Sequence, residues 1–371
     1  MTPTAPGVRC FKPSLTGEEA RAVAEAFASG WTGTGIYTRL FEERLGAAIG
    51  ARRLLSTNSG TAALHLALKA LDVTGGEVVV TPVTSVATGN AVLYNGAKPV
   101  FCDVEEDTGN IDARLLPALL TRRTRAIVVV HLGSACDMDA ILKIARARKI
   151  PVVEDACACH PLGGSHRGRP LGTMGAMGAF SFGRFKGLTT VDGGAVVCGR
   201  AGLRPRLEAL RRLGHKQDGE GLAGGEGGVE ELGFHCRMND VAAAIGLAQL
   251  KRWDEISARL SAVERRYRAG LDGLPFLRWP AVRPYSLGVR GPLAVRILDG
   301  RRAALRAALR RAGIQTEDGL TPLHLYRLYR PFRRPLPAAE RFCEEWQPLP
   351  FYPDLRERDV DRIADAVRRF K

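Results

Sequence analysis

The sequence predicts an α/β protein built on a mostly parallel sheet, followed by a smaller α+β region. Short stretches rich in β-branched residues alternate with helical patterns between residues 77 and 154. Each intervening segment is long enough for a helix that covers one face of the sheet, as in parallel α/β architectures. Ligands of such sheets bind beyond the carboxyl ends of the strands, so polar residues at those ends are the functional candidates.

The first part of the chain supplies these elements in order. We expect helices at 14–29, 37–49, 62–71, 85–94, 112–120 and 138–148, and strands at 77–81, 99–103, 126–131 and 152–154. Thr16 and Glu19 have capping-box spacing at the start of the first helix. Asp155 follows the last of these strands directly, which places a carboxylate at its carboxyl end.

The second part begins with a polar turn inside Phe180–Gly194, which enters a strand at 195–198. Residues 214–232 are rich in glycine and predict a loop. A long helix is expected over 239–271, a strand at 293–297, and helices at 301–312 and 357–370. The expected division is a large domain at 1–250 and a small C-terminal domain at 251–371.

Composition excludes several classes of function. The 371 residues carry a net charge of +15, but the arginines are spread over helical segments and no basic patch with interleaved aromatic residues occurs. A nucleic-acid partner is therefore not expected. No apolar run is long enough to span a bilayer, and the N-terminus lacks the pattern of a signal peptide. We expect a soluble, cytoplasmic protein.

The eight cysteines are scattered along the chain, and only Cys157 and Cys159 lie close together. No second pair with metal-ligand spacing accompanies them. The pattern predicts reduced packing thiols and neither a disulfide framework nor a metal site.

Lysine usage draws attention to the polar turn. The chain has nine lysines against 45 arginines, so a lysine in a tight turn between two strands can indicate a need for an amine. An amine can lose its proton and attack a carbonyl group, which a guanidinium cannot do. Lys186 is therefore a candidate Schiff-base residue, although a solvated loop lysine is the ordinary alternative.

A second candidate is the helix start at Ser59-Gly60-Thr61. Free backbone N–H groups, two hydroxyls and the positive end of the helix dipole together suit a phosphate. A plain N-cap uses the same residue types, so this motif alone leaves both interpretations open.

The order and spacing of motifs extend these observations over nearly the whole chain. They comprise Ser29–Gly35, Ser59–Leu68, Gly96–Asp103, Thr121–Ile127, Asp137–Asp139, Glu154–Asp155, Phe180–Phe182 with Lys186, Gly193–Gly194, Gly233–Met238 and Ala244–Arg252. In this order they resemble the DegT/DnrJ/EryC1/StrS family of pyridoxal-phosphate-dependent sugar aminotransferases. The resemblance implies the aspartate-aminotransferase-like fold (fold type I) and pyridoxal 5′-phosphate as cofactor.

The resemblance also implies residue roles. Lys186 would carry the cofactor and move the proton, and Asp155 would pair with the pyridine nitrogen. Gly60, Thr61 and Ser181 would hold the cofactor phosphate. The expected reaction moves an amino group from glutamate or glutamine to a keto sugar, nucleotide-linked by expectation, or a keto cyclitol, in secondary-metabolite (antibiotic) or glycan biosynthesis. A homodimer with shared active sites is expected.

Four positions depart from the family pattern. Ser85 stands where the family has an aromatic residue over the ring, and Ala158 where it has Gln. His235 replaces an Asn that reaches the partner's cofactor phosphate, and Asp318-Gly319 replaces a His-Tyr pair. These changes leave alternatives: other pyridoxal-phosphate chemistry such as dehydration, or a weakly active partner subunit.

Further site candidates remain less specific. His160 lies five residues after Asp155 and could support it, or it could be an interior histidine. Trp31 and Thr32 belong to a loop that could shape the substrate mouth, with core packing as the alternative. Arg237 could contact substrate or structure the subunit boundary.

Overall fold

A computed structural model of the chain describes residues 7–215, 228–287 and 291–370. Most of the loop expected at 214–232 therefore lies outside the described residues. The α-helices are α1 (Gly17–Ala28), α2 (Ile36–Ala48), α3 (Gly60–Ala70), α4 (Val86–Tyr94), α5 (Leu116–Leu119), α6 (Met138–Ala147), α7 (Arg204–Arg211), α8 (Asp240–Lys251), α9 (Trp253–Leu271), α10 (Arg302–Arg311), α11 (Pro337–Glu345) and α12 (Glu357–Arg368). The strands are β1 (Leu54–Thr57), β2 (Glu77–Val80), β3 (Lys98–Phe101), β4 (Thr124–Val130), β5 (Val152–Asp155), β6 (Ser165–His166), β7 (Arg169–Pro170), β8 (Met177–Ser181), β9 (Gly194–Cys198), β10 (Leu277–Arg278), β11 (Ser286–Leu287), β12 (Ala294–Ile297) and β13 (Trp346–Pro348).

The central sheet has the order β1-β9-β8-β5-β4-β2-β3 within the described residues. Neighbours from β3 to β8 pair in parallel, whereas β9 is antiparallel to both β8 and β1. The predicted α/β class with a mostly parallel sheet is confirmed. Since β1 and β8 run the same way as β5, the carboxyl ends of β1, β2, β5 and β8 meet at one edge.

Helices cover both faces of this sheet. One buried cluster joins the sheet to α3, α4 and α7, and a second joins it to α2, α6 and α8. A third cluster holds α9, α10, α12 and β12 together and includes Val8 near the N-terminus. Residues 294–346 also contribute to the first cluster, so the C-terminal region packs on the large core. The domain boundary at 250/251 stays a prediction.

Two helical expectations are wrong in detail. The helix expected over 239–271 is divided into α8 and α9 at Arg252, whose guanidinium binds the Glu19 carboxylate (Nη1–Oε1 2.8 Å). No glycine or proline marks this break in the sequence. The helix expected over 112–120 is a 3₁₀ turn at Ala113–Leu115 followed by the short α5. Pro117 lies in the first turn of α5 and has no N–H to bond a carbonyl of the preceding turn, so one continuous α-helix over this segment is disfavoured.

Strand β1 was not expected from the sequence, although all four of its residues are buried. Its serine and threonine conceal the strand pattern. No helix in the part of the chain that the structure describes is long and apolar enough to cross a membrane. The same residues contain no group of three or more His, Cys, Asp or Glu side chains that could hold a metal ion.

Candidate active site

The connection from β1 to α3 forms a cradle of backbone N–H groups. Ser59 is extended (φ −165°, ψ 161°), and its Oγ accepts the N–H of Ala62 at 3.1 Å. The N–H groups of Gly60 and Thr61, the first two of the helix, have no acceptor within it. The positive end of the α3 dipole lies at the same point, so the arrangement suits a phosphate.

Glycine and Ser181 complete this cradle. Thr57 and Ser181 flank Gly194 on opposite sides, since β9 pairs with both of their strands. A Cβ on Gly194 would lie 2.5 Å from the carbonyl carbon of Ser59, and one on Gly60 would lie 2.7 Å from the Cβ of Ser181. The close approach brings the Ser181 hydroxyl to the start of α3. The structure thus joins three residues expected to bind phosphate: Gly60, Thr61 and Ser181.

Asp155 is the last residue of β5, and 2% of its surface is exposed. Its Oδ2 accepts the hydroxyl of Thr88 at 2.7 Å, and its Oδ1 accepts the N–H of Cys157 at 3.0 Å. Thr88 in turn lies 2.8 Å from the hydroxyl of Thr84. A buried carboxylate held by donors to its charged form is suited to face a cation, such as a protonated ring nitrogen.

Lys186 projects from a turn fixed at both ends. The N–H of Phe182 binds the carbonyl of Gly193 at 2.8 Å, and the N–H of Lys186 binds the carbonyl of Gly183 at 2.9 Å. Val191 in the same turn has a φ of 71°, in the left-handed region that β-branched residues avoid. Backbone strain of this kind collects at functional sites.

A cavity of about 280 Å³ opens beside the lysine. Residues of both regions of the chain line it: Cys10, Phe11, Ala158, Cys159, His160, Pro161, Ser181, Phe185, Lys186, Gly187, Leu188, Leu260, Gly291, Pro292, Glu317, Pro348, Leu349, Phe351, Tyr352 and Pro353. Aromatic rings from three chain segments form much of the wall, and Phe11 contacts Phe185 edge-to-face with 5.5 Å between ring centroids. The cavity can therefore take a compact ring-shaped ligand against apolar surface.

Cys157 links these groups electrostatically. Burial raises the pKa of its thiol, the Asp155 carboxylate raises it further, and the Lys186 ammonium opposes them. The Sγ of Cys157 would lie 3.1 Å from a Cβ on Gly60. Asp155, Lys186 and the phosphate cradle thus all lie near the Cys157 side chain. A thiol kept protonated there does not act as a nucleophile, in keeping with the predicted packing role.

Two further predicted residues line the cavity. Ala158 contributes a small side chain, and its carbonyl approaches Gly291. His160 stacks on Trp253, and its Nδ1 accepts the N–H of Leu162 at 3.3 Å, which leaves the hydrogen of a neutral ring on Nε2. Its ring also lies against Gly187, next to the lysine. His160 is thus placed to hold the lysine turn, and a role through Asp155 stays a prediction.

Ser85 caps helix α4. Its Oγ accepts the N–H of Ala87 at 3.3 Å, and its side chain is exposed. It does not line the cavity of the same chain. The position therefore provides no ring to stack on a ligand within the described chain.

The remaining predicted residues lie outside the cavity. His235 is exposed, and its carbonyl accepts from the Nδ2 of Asn58 at 3.1 Å. The loop with Trp31 and Thr32 is tied to the same region, because the N–H of Asp240 binds the carbonyl of Thr32 at 3.3 Å. The segment 235–240 therefore contacts both Asn58, next to the phosphate cradle, and the loop that carries Thr32.

Positive charge is crowded around Arg237. Burial lowers the pKa of its guanidinium, and the charges of Arg212 and Arg211 lower it further. An anion bound at this place would relieve the repulsion.

The prediction for Asp318 is not supported by its position. Its carboxylate pairs with Arg306 at 2.8 Å and Arg310 at 3.1 Å, and its side chain is 78% exposed. The preceding residue, Glu317, lines the cavity instead. The orientation of Glu317 could not be predicted from the sequence, because an irregular segment has no periodicity. A substrate-binding role for Asp318 stays a prediction.

Thr84 and Thr88 were also missed as individual site residues. Their i, i+4 spacing at the start of the helix after β2 is visible in the sequence and places them on one face. That both follow a strand ending at the same sheet edge as Asp155 is the signal that could have found them.

Comparison with known proteins decides the family. A model of the DegT/DnrJ/EryC1/StrS aminotransferase family matches residues 13–368. The chain belongs to this family. Aminotransferases of the family use pyridoxal phosphate, and Spr1654 from Streptococcus pneumoniae, 27% identical over 96% of each chain with a TM-score of 0.88, is known in its PLP form. This chain is a pyridoxal-phosphate-dependent aminotransferase.

Individual relatives agree with that assignment. The aminotransferase TlmJ from Streptoalloteichus hindustanus is 35% identical, with 97% of this chain and 98% of that chain covered and a TM-score of 0.90. The sugar aminotransferase CalS13 from Micromonospora echinospora is 30% identical over 97% and 99% of the two chains, also with a TM-score of 0.90. The spore coat polysaccharide biosynthesis protein SpsC from Bacillus subtilis is 33% identical over 96% and 95%.

The residues present fit this cofactor. The cradle at α3 supplies N–H donors and a hydroxyl for a phosphate, and additional side chains at Gly60 and Gly194 would fill it. A buried carboxylate for a ring nitrogen and a lysine on the cavity wall lie around the same point.

Proposed function

We propose that this aminotransferase moves an amino group from glutamate or glutamine to a keto sugar or keto cyclitol. A single observation carries the proposal: Lys186 lines a cavity shared with Ser181, next to a buried carboxylate and a free helix N-terminus. CalS13 is a sugar aminotransferase, and its similarity to this chain supports a sugar as acceptor.

Each residue has a defined task in this proposal. Gly60 and Thr61 bind the phosphate through their N–H groups, and Ser181 through its hydroxyl. Asp155 would hold a proton at the pyridine nitrogen, at the opposite end of the cofactor ring. Pyridoxal phosphate, when bound, supplies an electron sink for the bond cleaved at the substrate carbon. Lys186 would take the proton from that carbon as a general base and, in the same half-reaction, deliver it as an acid to C4′ of the cofactor.

The aromatic side chains of the cavity wall suit a cyclic acceptor. Phe11, Phe185, Phe351 and Tyr352 would present apolar surface to the C–H face of a sugar or cyclitol ring. The expectation that the sugar is nucleotide-linked is supported by the crowded positive charge at Arg237, where a phosphate would find an opposite charge.

We further propose that the enzyme acts as a cytoplasmic homodimer in secondary-metabolite or glycan biosynthesis. Large apolar side chains are exposed in the segments that carry the site residues, among them Trp31, Phe185, Val191 and Leu232. A second copy of the chain would cover them and bring its own His235 and Arg237 toward the cavity.

Other chemistry on the same cofactor is the second candidate, and Ser85 favours it. The capping serine offers no aromatic ring over the cofactor, so the ring has more freedom to tilt than in enzymes that stack it. Dehydration of a sugar would then compete with transfer.

A half-reaction separates the two candidates. The purified, cofactor-loaded enzyme is mixed with glutamate, glutamine or alanine, and its absorbance is followed. Transfer predicts loss of the yellow absorbance with stoichiometric formation of the keto acid from glutamate or glutamine. A yellow enzyme that forms no keto acid from any donor contradicts the aminotransferase proposal and favours dehydration. Protein that stays colourless after incubation with the cofactor contradicts both.

A further inference from the structure

The carboxylate of Asp155 is held from two sides by donors of the chain itself. Thr88 reaches Oδ2 at 2.7 Å through its hydroxyl, and the N–H of Cys157 reaches Oδ1 at 3.0 Å. Thr88 is 1% exposed and Asp155 2%, so water does not substitute for either donor. Each carboxylate oxygen keeps a second lone pair for a ligand.

The number of hydrogens available fixes which group donates in each hydrogen bond among Thr84, Thr88 and Asp155. An ionised carboxylate only accepts, so Thr88 gives its single hydroxyl hydrogen to Asp155. The contact of 2.8 Å between the hydroxyls of Thr84 and Thr88 must then use the hydrogen of Thr84. Thr84 is itself 5% exposed. The result is a buried relay in which Thr84 donates to Thr88 and Thr88 donates to Asp155.

We propose that Thr88 is the positioning residue for Asp155 and that Thr84 sets the direction of its hydroxyl. The relay holds the carboxylate as an anion in one orientation, aimed at the ring nitrogen of the cofactor. This inference rests on the proposed role of Asp155. With one donor on each oxygen, the plane of the carboxylate is fixed, and so is the direction of the lone pairs left for the ligand. Chained hydrogen bonds in a buried site strengthen one another.

The test compares three variants of the full-length enzyme. Thr88→Val keeps the shape and removes the donor, Thr88→Ser keeps the donor, and Thr84→Val removes the outer hydroxyl. The first measurement is the dissociation constant of pyridoxal phosphate from titration of the apoenzyme. The second is the pH at which the absorbance of the bound cofactor changes. Circular dichroism and thermal melting establish that each variant is folded.

The relay predicts a graded result. Thr88→Val weakens cofactor binding by roughly ten-fold, as expected for loss of a hydrogen bond to a buried charge. It also shifts the absorbance midpoint to higher pH. A ring nitrogen that holds its proton less firmly withdraws less electron density from the group of the cofactor that titrates. Thr88→Ser restores both values, and Thr84→Val shows a smaller change in the same direction. In the Thr88→Val background, Thr84→Val adds nothing, since the two hydroxyls act in series.

Two outcomes overturn the inference. Wild-type affinity and an unchanged midpoint in Thr88→Val show that the hydroxyl does not position the carboxylate. Equal losses in Thr88→Val and Thr88→Ser show that the methyl packing matters and the donor does not. If Thr88→Val does not fold, an unchanged midpoint in Thr84→Val overturns the relay. An Asp155→Ala variant tests the role of Asp155 separately. Unchanged cofactor binding in Asp155→Ala shows that Asp155 does not hold the cofactor. Weakened binding in Asp155→Ala together with wild-type binding in Thr88→Val shows that only the relay is wrong.

Discussion

At the scale of single residues, the site depends on places where a side chain is missing. Gly194 sits between Thr57 and Ser181 in the sheet, with the backbone of Ser59 and Gly60 filling the space beside it. The N–H groups expected to bind phosphate belong to that backbone. Any atom added to Gly194 must therefore move the cradle itself.

Substitution of Gly194 tests this dependence. A Cβ there would lie 2.5 Å from the Ser59 carbonyl carbon and 2.6 Å from the Gly60 nitrogen. We expect Gly194→Ala to lower the affinity for pyridoxal phosphate by at least roughly ten-fold, since overpacking of about 1–3 kcal/mol displaces the donors. Equilibrium titration of the apoenzyme measures the change.

A matched control is Gly17→Ala, because no atom lies within 4 Å of the Cβ that it adds. This variant is expected to bind the cofactor like the wild type. Unchanged affinity in Gly194→Ala would show that the cradle does not hold the phosphate.

The site residues that could be predicted from the sequence are recognisable from their immediate neighbours in the chain. Lys186 is a rare amine in a turn, and Ser59-Gly60-Thr61 is a helix start, so both can be identified without a structure. The contact of Thr88 with Asp155 and the place of Glu317 in the cavity wall depend on the direction of each side chain. That direction is set by tertiary packing, which a single sequence does not display.

At the scale of elements, Glu154 holds β5 in place beside the site. It is fully buried, and its Oε1 accepts the N–H groups of Met174 and Gly175, both at 2.6 Å. Its Oε2 accepts the N–H of Gly172 at 3.0 Å and contacts His131 Nε2 at 3.2 Å. His131 Nδ1 accepts from Cys136, so Nε2 carries the hydrogen and donates to Glu154. One carboxylate thereby ties β5 to the segment that enters β8.

Glu154→Gln measures the strength of this tie. The amide has only one acceptor oxygen. Its NH₂ group must therefore face either the N–H groups of Met174 and Gly175 or those of Gly172 and His131, which lose their acceptor. We expect the free energy of unfolding to fall by about 2–4 kcal/mol, the cost of leaving buried donors unpaired. Urea denaturation followed by circular dichroism gives the change.

Glu255→Gln is the comparison, since Glu255 forms exposed ion pairs with Arg252 and Arg259. Loss of such pairs costs about 0–1 kcal/mol. Equal stabilities of the two variants would contradict the assigned role of Glu154.

Elements with strong periodicity were predictable, and their interruptions were not. Helix α3 follows a clear apolar pattern, and its observed span, Gly60–Ala70, starts two residues before the expected 62–71 and ends one residue earlier. The break between α8 and α9 lies at Arg252, whose guanidinium contacts Glu19, more than two hundred residues away in the chain. Strand β1 is short and half polar, and its pairing with β9, more than its own pattern, identifies it as a strand.

At the scale of the whole molecule, several segments that carry site residues also expose large apolar side chains. Trp31 is 46% exposed, Phe185 56%, Val191 51% and Leu232 76%. These side chains would be covered in the proposed dimer.

The proposed homodimer has a direct physical test. Light scattering during gel filtration is expected to give twice the 40.1 kDa mass of the chain at micromolar concentration. Leu232→Asp should shift the protein toward the monomer and reduce amino transfer in parallel, because a charge is buried at the interface. Full transfer activity from a monomeric wild type would contradict a shared site.

The fold class and family could be predicted because many motifs agree in order along the chain. The acceptor cannot be read in the same way, since aromatic residues from distant segments and the acid Glu317 shape the cavity. Sugars and cyclitols both contain a compact ring, so the shape of the cavity does not discriminate between them.

The attachment point of the cofactor tests the role of Lys186 most directly. The enzyme is loaded with pyridoxal phosphate, reduced with borohydride, digested and analysed by mass spectrometry. We expect the cofactor mass on the peptide that contains Lys186, and no label on Lys186→Ala or Lys186→Arg. The chain has nine lysines, so each alternative attachment point can be assigned. Label on another lysine, or full label in Lys186→Ala, would show that Lys186 does not carry the cofactor.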